Sequence, residues 1–264
     1  MSDSSLRETA LITGASAGIG AVYADRLARR GYDLTLVARN EARLKEVANR
    51  ISGDTGRSVR IMQADLSNKQ STADVEQVLR EDPAITMLVN NAGVGAVASI
   101  LDGNVDAMDH MIAVNITALT RLTYAVAPAL VKRGKGTIIN LASVVGIAVE
   151  MLNGVYSASK SYVISLGHTL QRDLAGTNVR VQTVLPGATA TEFWSVAGHP
   201  GMKTANHTMA VENMVDAALA GLDAGELVTM PSLHENELWS RWEADRRTLS
   251  KKFANSVPAA RYTY

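Results

Sequence analysis

Seven short apolar runs, each followed by a longer stretch of mixed polarity, leave this chain few folds to choose from. The runs are ALIT (10–13), DLTLVA (33–38), VRIMQA (59–64), ITMLVN (85–90), GTIINLA (136–142), VRVQTVL (179–185) and ELVTM (226–230). Most are apolar at nearly every position, as strands covered on both faces must be, because a solvated face would impose alternation. Between them, YADRLARRG (23–31), EARLKEVANRIS (41–52) and STADVEQVLRE (71–81) return apolar residues every three or four positions, the period of a helix with one buried face. Strand, helix, strand in this order demands right-handed crossovers, so a parallel sheet with helices on both faces is expected, a doubly wound α/β architecture.

At 264 residues the chain is near the upper limit for one hydrophobic core, and no repeat, linker or low-complexity tract divides it. A single domain over 1–264 is expected, with only the ends, 1–7 and about 255–264, loose. Lys plus Arg and Asp plus Glu are equal at 26 each, which excludes the electrostatic footprint of a nucleic-acid binder or a membrane-surface protein and points to small-molecule partners. The absence of cysteine removes disulfides, thiolate metal sites and a Cys nucleophile. The N-terminal MSDSSLRETA lacks the apolar segment of a signal peptide, and no later run approaches the roughly 18 apolar residues of a membrane span, so a cytoplasmic location is expected.

TGASAGIG (13–20) follows the first run directly and opens the first helical stretch. Gly14, Gly18 and Gly20 permit a tight turn and close backbone approach, and a helix starting there would direct free N–H groups at a pyrophosphate. Three residues rather than one separate the first two glycines, so the G-x-G-x-x-G fingerprint is not matched, and a ligand-free turn would read the same way. The second strand ends in Ala38 and Arg39, with no acid. An aspartate there would accept from a ribose 2′-hydroxyl and repel a 2′-phosphate, whereas Arg39 can pair with that phosphate. NADP(H) is therefore expected over NAD(H), the alternative being that Arg39 is one solvated charge of RNEAR (39–43). In ADLS (64–67), Asp65 could meet an adenine amino group and Leu66 the ring, or Asp65 could cap a helix over 67–81. NNAG (90–93) is small and polar at the carboxyl end of the fourth strand, where open α/β sheets bind ligands.

SVVGIAVEMLNGVYSASK (143–160) then places a serine, a phenol and an ammonium at defined intervals. Tyr156 and Lys160 share a helix face by their spacing, which a coincidental pair would also satisfy. Taken with TGASAGIG, NNAG, Asn115 and Pro186-Gly187, this stretch resembles the short-chain dehydrogenase/reductase family, in the expected order and over nearly the whole chain. The resemblance implies a Rossmann-like, seven-stranded parallel sheet, a nicotinamide dinucleotide and hydride transfer to or from a carbonyl or alcohol. It also implies that Ser16, Ile19, Asn91, Ala92, Gly93, Pro186, Gly187, Thr189 and Thr191 join the glycines, Arg39, Asp65, Leu66, Tyr156 and Lys160 in holding the cofactor. PGATAT (186–191) departs from the family pattern by having Thr189 where an aliphatic residue is common, although the backbone N–H that would hold the carboxamide survives.

Reducing a carbonyl leaves an alkoxide that needs a proton as it forms. A free phenol has a pKa near 10, and a nearby cation lowers it, so Tyr156 is the expected acid/base, Lys160 its electrostatic partner and ribose anchor, and Ser143 the donor to the carbonyl oxygen. Asn115, an amide inside the apolar MIAVNITAL, is implied by the resemblance to hold a water in a relay to Lys160, the alternative being a capping or surface residue. Val144, Val145, Ile147, Met151, Leu152 and Val155 suggest a small or medium hydrophobic substrate. Residues 188–210 read as a short helix and an irregular loop able to close over the cofactor, with Phe193 and Trp194 as lid candidates and His199, Lys203 and His207 available to an anionic group. His168 and His234 have no cluster around them, so no metal is expected. In the helix expected over 234–253, Leu238, Trp239, Trp242 and Leu249 form a stripe suited to core packing or a subunit contact. Family analogy implies a homodimer or homotetramer. Two other functions fit the same residues, a dinucleotide-binding regulator without turnover and an epimerase on the same scaffold.

Overall fold

The computed structural model describes residues 7–152 and 154–262, arranged in two compact units that divide after Pro231. Residues 1–6, which make up most of the N-terminal end expected to be loose, lie outside the described residues, as do 263–264. In the larger unit the strands are β1 (Thr9–Thr13), β2 (Asp33–Ala38), β3 (Val59–Gln63), β4 (Ile85–Asn90), β5 (Gly136–Leu141), β6 (Val179–Val184) and β7 (Val228–Thr229). They form a seven-stranded sheet in the order β3-β2-β1-β4-β5-β6-β7, parallel at every pairing. The order reverses between β1 and β4, which opens a crevice at their carboxyl ends.

Alternation within the apolar runs sorts side chains to the two faces. Ala10 and Ile12 of β1, with Met87 and Val89 of β4, pack with α1 (Gly18–Arg29) through Tyr23 and Leu27. Leu11 and Leu88 between them point the other way, toward Val75 of α3 (Lys69–Glu81) and Leu122, Val126 and Leu130 of a long helix crossing behind β4 and β5. β3 sits at the sheet edge and is only partly buried, which explains the polar Arg60 and Gln63 in its run.

The helix after β2 is α2 (Glu41–Thr55), capped by Asn40. The helix after β3 begins at Lys69 rather than 67, because Asn68 supplies the cap: its Oδ1 accepts from Gln70 N at 2.9 Å and Ser71 N at 3.0 Å. Asp65 is not that cap.

The long helix is continuous from Val105 to Arg133, in three parts: α4 (Val105–Ile112), a π-helical segment (Ala113–Ala118) and α5 (Leu119–Arg133). By length and composition it could cross a membrane, which corrects the reading that no run is long and apolar enough; Asn115 and the threonines interrupt the apolar run without making the helix polar. Half of its most apolar 18-residue stretch is buried, and Leu122, Val126 and Leu130 are core residues, so its apolar character already has a use in the fold.

The larger unit closes with α8 (Val211–Asp223) and β7, and the smaller unit, beginning at Ser232, contains α9 (Asn236–Ser250) and a 3-10 turn at Ala260–Tyr262, with irregular, exposed chain between. Leu238, Trp242 and Leu249 are exposed, so the stripe is not a core stripe. Its period reports amphipathicity and says nothing of what the face meets. Trp239 and Trp242 stack on each other, ring centroids 4.8 Å apart.

Candidate active site

The crevice is built from the turns that leave β1, β2, β3 and β4. Gly14 and Gly18 have φ of 65° and 54°, values open to glycine and costly for other residues. A Cβ on Gly20 would strike Gly14 O and lie 2.5 Å from Asn91 Nδ2, so the first turn of α1 can pack this tightly only without a side chain there. Thr13 and Asn91 fasten the two central turns together. Asn91 Nδ2 donates to Thr13 O at 2.8 Å and Gly14 O at 3.1 Å, while Thr13 Oγ1 accepts from Asn91 N and Ala92 N, both at 3.0 Å. The Asn91 amide thus shapes the glycine turn.

Beside that turn lies a cleft of about 290 Å³ lined by Gly14, Ser16, Arg39, Asp65, Leu66, Ala92 and Gly93 among others. Gly18, Ile19 and Gly20 form the adjoining first residues of α1. Asp65 accepts from Ser67 N at 2.9 Å and Ser67 Oγ at 2.8 Å. Partial burial raises its pKa, but those two bonds and the Arg39 charge outweigh it and hold the carboxyl below the usual range. The Arg39 guanidinium has no carboxylate within salt-bridge distance among the described residues. A glycine cradle at a helix start, an aliphatic and an acidic residue at the β3 turn, and an unpaired guanidinium after β2 fit a 2′-phosphorylated dinucleotide.

At the other end of the crevice, β5 delivers Ser143 and α6 (Gly154–Asp173) delivers Tyr156 and Lys160. Tyr156 and Lys160 are only 8% and 6% exposed, in a position where burial must alter both. Desolvation pushes the phenol up, against a lowering hydrogen bond with Ser143, and pulls the ammonium down to about 8. This corrects one expectation: within the protein alone, Lys160 does not make the phenol acidic. Its Nζ lies 5.6 Å from the centre of the Tyr156 ring and donates to Leu141 O at 3.0 Å, and burial sets the direction of the shift in each group.

Asn115 sits in the π-helical segment, buried. Its Oδ1 accepts from Val94 N at 2.9 Å, and its Nδ2 donates to Val94 O at 2.9 Å and Ser159 Oγ at 3.1 Å. The capping and surface alternatives are therefore set aside. A Cβ on Gly93 would lie 3.4 Å from Asn115 Oδ1 and 3.6 Å from Lys160 Nζ, so amide and ammonium border one small space.

The segment after β6 covers this end. Pro186 O accepts from Ser143 Oγ at 3.3 Å and Val144 N at 3.0 Å. Thr189 is buried, its hydroxyl donating to Gly187 O at 3.1 Å and its carbonyl accepting from Trp194 Nε1 at 2.9 Å, which accommodates the departure from the family pattern. The Thr191 methyl approaches to 3.2 Å of where a Cβ on Gly18 would stand. Then comes α7 (Phe193–Val196), whose Phe193 ring lies 5.6 Å from the Tyr156 ring and against the bare backbone of Gly95. Trp194 meets Phe193 edge-on at 5.4 Å. His199, Lys203 and His207 are exposed, and no metal-binding cluster occurs among the described residues.

Sequence reasoning missed two features. Gly95 gives no signal except in space, because its partner Phe193 is far along the chain. Arg43 Nη1 donates to Glu192 Oε2 at 2.6 Å across 149 residues, and Arg43 lines the same cleft as Arg39. The clustering of basic residues in RNEAR (39–43), directly after the second strand, is the one available hint.

A doubly wound parallel sheet with a glycine cradle at its switch point, and half-buried Ser143 beside buried Tyr156 and Lys160, has the architecture of dinucleotide-binding α/β proteins. The chain belongs to the short chain dehydrogenase family, whose model it matches over residues 8–199, and is an oxidoreductase of that family. A short-chain dehydrogenase from Sphingobium yanoikuyae, solved in complex with NADPH, is 44% identical and superposes with a TM-score of 0.94 over 97% of this chain and 100% of that one. The bulky-bulky ketone specific alcohol dehydrogenase from Comamonas testosteroni is 40% identical with a TM-score of 0.91, over 98% and 100%. An uncharacterized oxidoreductase of Staphylococcus saprophyticus is 39% identical over 181 residues, 68% of this chain and 77% of that one.

Proposed function

We propose that the protein reduces hydrophobic carbonyl compounds with NADPH and, in reverse, oxidises the corresponding alcohols. The observation that carries this reading is half-buried Ser143 grouped with buried Tyr156 and Lys160 at the end of a cleft that offers Arg39, and no acid, where the adenosine ribose belongs. The dinucleotide, when bound, supplies or takes up the hydride. Ser143 donates to the substrate oxygen and fixes the Tyr156 hydroxyl, which gives its proton to that oxygen as negative charge develops. Burial favours the protonated phenol, the form that reduction needs. Lys160 stands beneath the ring, held by Leu141 O, and restrains negative charge on the phenol once the proton has left. Asn115 Oδ1 retains a lone pair on the space it shares with Lys160, which supports a bridging water and a path for proton replacement.

Val94, Met108, Val144, Leu152 and Val155 surround Tyr156 with Phe193, so the substrate groups flanking the carbonyl meet an apolar wall. The likeness to an alcohol dehydrogenase specific for bulky ketones supports extending the substrate class beyond small compounds. The test is nicotinamide absorbance with aldehydes and ketones of graded size, and with alcohols, using each of the four cofactor forms. Turnover with NADPH and apolar ketones is expected; a protein that binds NADPH but turns over no carbonyl or alcohol would defeat the reading. Arg39→Ala is expected to lower NADPH affinity about tenfold, the equivalent of one charge-assisted phosphate contact, and leave NADH unchanged.

We further place the protein in the cytoplasm as a homodimer or homotetramer. Half of the most apolar 18-residue stretch of the helix from Val105 to Arg133 is not buried within the chain, and the exposed Ile112, Tyr124 and Val131 on this helix support a second copy as neighbour. Light scattering is expected to give at least twice the 28.1 kDa chain mass.

A further inference from the structure

We propose that Arg43 is a second receptor for the ribose 2′-phosphate and that Glu192 is the anion it holds until that phosphate arrives, so that binding of NADP(H) releases the lid. The inference rests on the NADP(H) reading above. Arg43 lies in the first turn of α2, Arg39 in the bend that precedes its cap, and both line the nucleotide cleft. Asn40 Oδ1 accepts from Arg43 N at 3.0 Å, which fixes the backbone from which the side chain extends. The guanidinium meets Glu192 at 2.6 Å, and Glu192 is the residue directly before α7 and its Phe193, which rests on Tyr156. One ion pair therefore ties the adenosine end of the crevice to the cover of the reactive end.

As a stabiliser the pair contributes little, because the two side chains are 47% and 56% exposed and water competes for both. Its placement has a larger consequence. A phosphate monoester carries close to two negative charges at neutral pH, and a guanidinium fork can bind it through two parallel hydrogen bonds. Set between Arg39 and Arg43, such a group would also confront the Glu192 carboxylate at hydrogen-bonding distance from Arg43, a like-charge contact. Exchange of carboxylate for phosphate relieves that repulsion and frees the start of α7. A 2′-hydroxyl drives no such exchange, so NAD(H) leaves the tie in place.

The experiment measures NADPH and NADH dissociation constants by fluorescence titration for the wild type, Glu192→Gln, Arg43→Gln, the double variant and Arg39→Ala. Hydrogen exchange of residues 192–198 is followed in parallel. Glu192→Gln is expected to tighten NADPH about threefold to tenfold by removing the competitor, and Arg43→Gln to weaken it about tenfold, with NADH unmoved in each. The double variant should match Arg43→Gln, since without the receptor the competitor has no effect. NADPH, and not NADH, should speed exchange over 192–198 in the wild type, whereas Glu192→Gln should exchange fast from the outset. An unchanged NADPH to NADH ratio in Glu192→Gln, or equal shifts for both cofactors in Arg43→Gln, overturns the inference. If Arg39→Ala then weakens NADPH alone, the NADP(H) reading stands and only the exchange fails. A wild type that prefers NADH overturns both.

Discussion

Tyr156→Phe is expected to lower the turnover number for carbonyl reduction by about 10²–10⁴-fold, the usual contribution of a positioned general acid. NADPH affinity should hardly change. The substitution removes one oxygen and keeps the ring, which packs with Met111, Val145 and Phe193, so neither the lid contact nor the wall of the pocket is disturbed. The hydrogen bond with Ser143 is lost. Stopped-flow measurement of NADPH oxidation, with a separate titration of cofactor binding, resolves the two effects. Turnover retained at the wild-type level would remove Tyr156 as the proton donor and leave the site without one.

Lys160→Met should reduce turnover by about a hundredfold or more and yet stabilise the protein at neutral pH. Burial draws the ammonium from 10.5 down to about 8, a difference that corresponds to about 3 kcal/mol of unfavourable burial of charge. Below pH 8 the folded and unfolded chains are both protonated and the whole penalty applies. Between pH 8 and 10.5 the unfolded chain binds more protons than the folded one, so stability rises with pH and the penalty fades. Methionine keeps the length of the side chain without the charge, but it leaves Leu141 O without its donor, which costs about 1–3 kcal/mol. The net gain at pH 7 is on the order of 1 kcal/mol, or about 2–4 °C in Tm for a chain of this size. By pH 10 the wild type should have recovered the difference. Thermal melts at both pH values test this: equal losses of stability at pH 7 and pH 10 would mean that the ammonium is not desolvated in the folded protein.

The sheet was legible because buried parallel strands must be apolar on both sides, and β2 and β4 have the limits that their apolar runs suggest. Helix starts were less so. Asn68 and Asp65 are both good caps by residue type, and only the backbone path selects the former. The stripe on α9 misled because a helical period records which residues share a face and not what covers them. Within the site, residues joined by local spacing, such as Tyr156 and Lys160 or Arg39 and Arg43, leave a trace in the sequence. Pairs formed by the fold leave none: Gly95 meets Phe193, Asn115 meets Val94 and Arg43 meets Glu192 only after strands far apart in the chain are brought side by side. The state of the phenol was misjudged because charge proximity can be guessed from spacing, whereas desolvation depends on the surrounding fold.

The wide turn at Ala113–Ala118 adds a helical phase shift between α4 and α5. Deleting one residue there would restore an ordinary helix and rotate α4 by about 100° about its axis, since 3.6 residues complete a turn. Met108 and Met111, which now pack with Tyr156, would swing away and other α4 side chains would take their place. α5 could meanwhile stay seated on the sheet through Leu122, Val126 and Leu130. The lining of the chamber can therefore be exchanged by altering chain length at one point, while the scaffold beneath keeps its alignment.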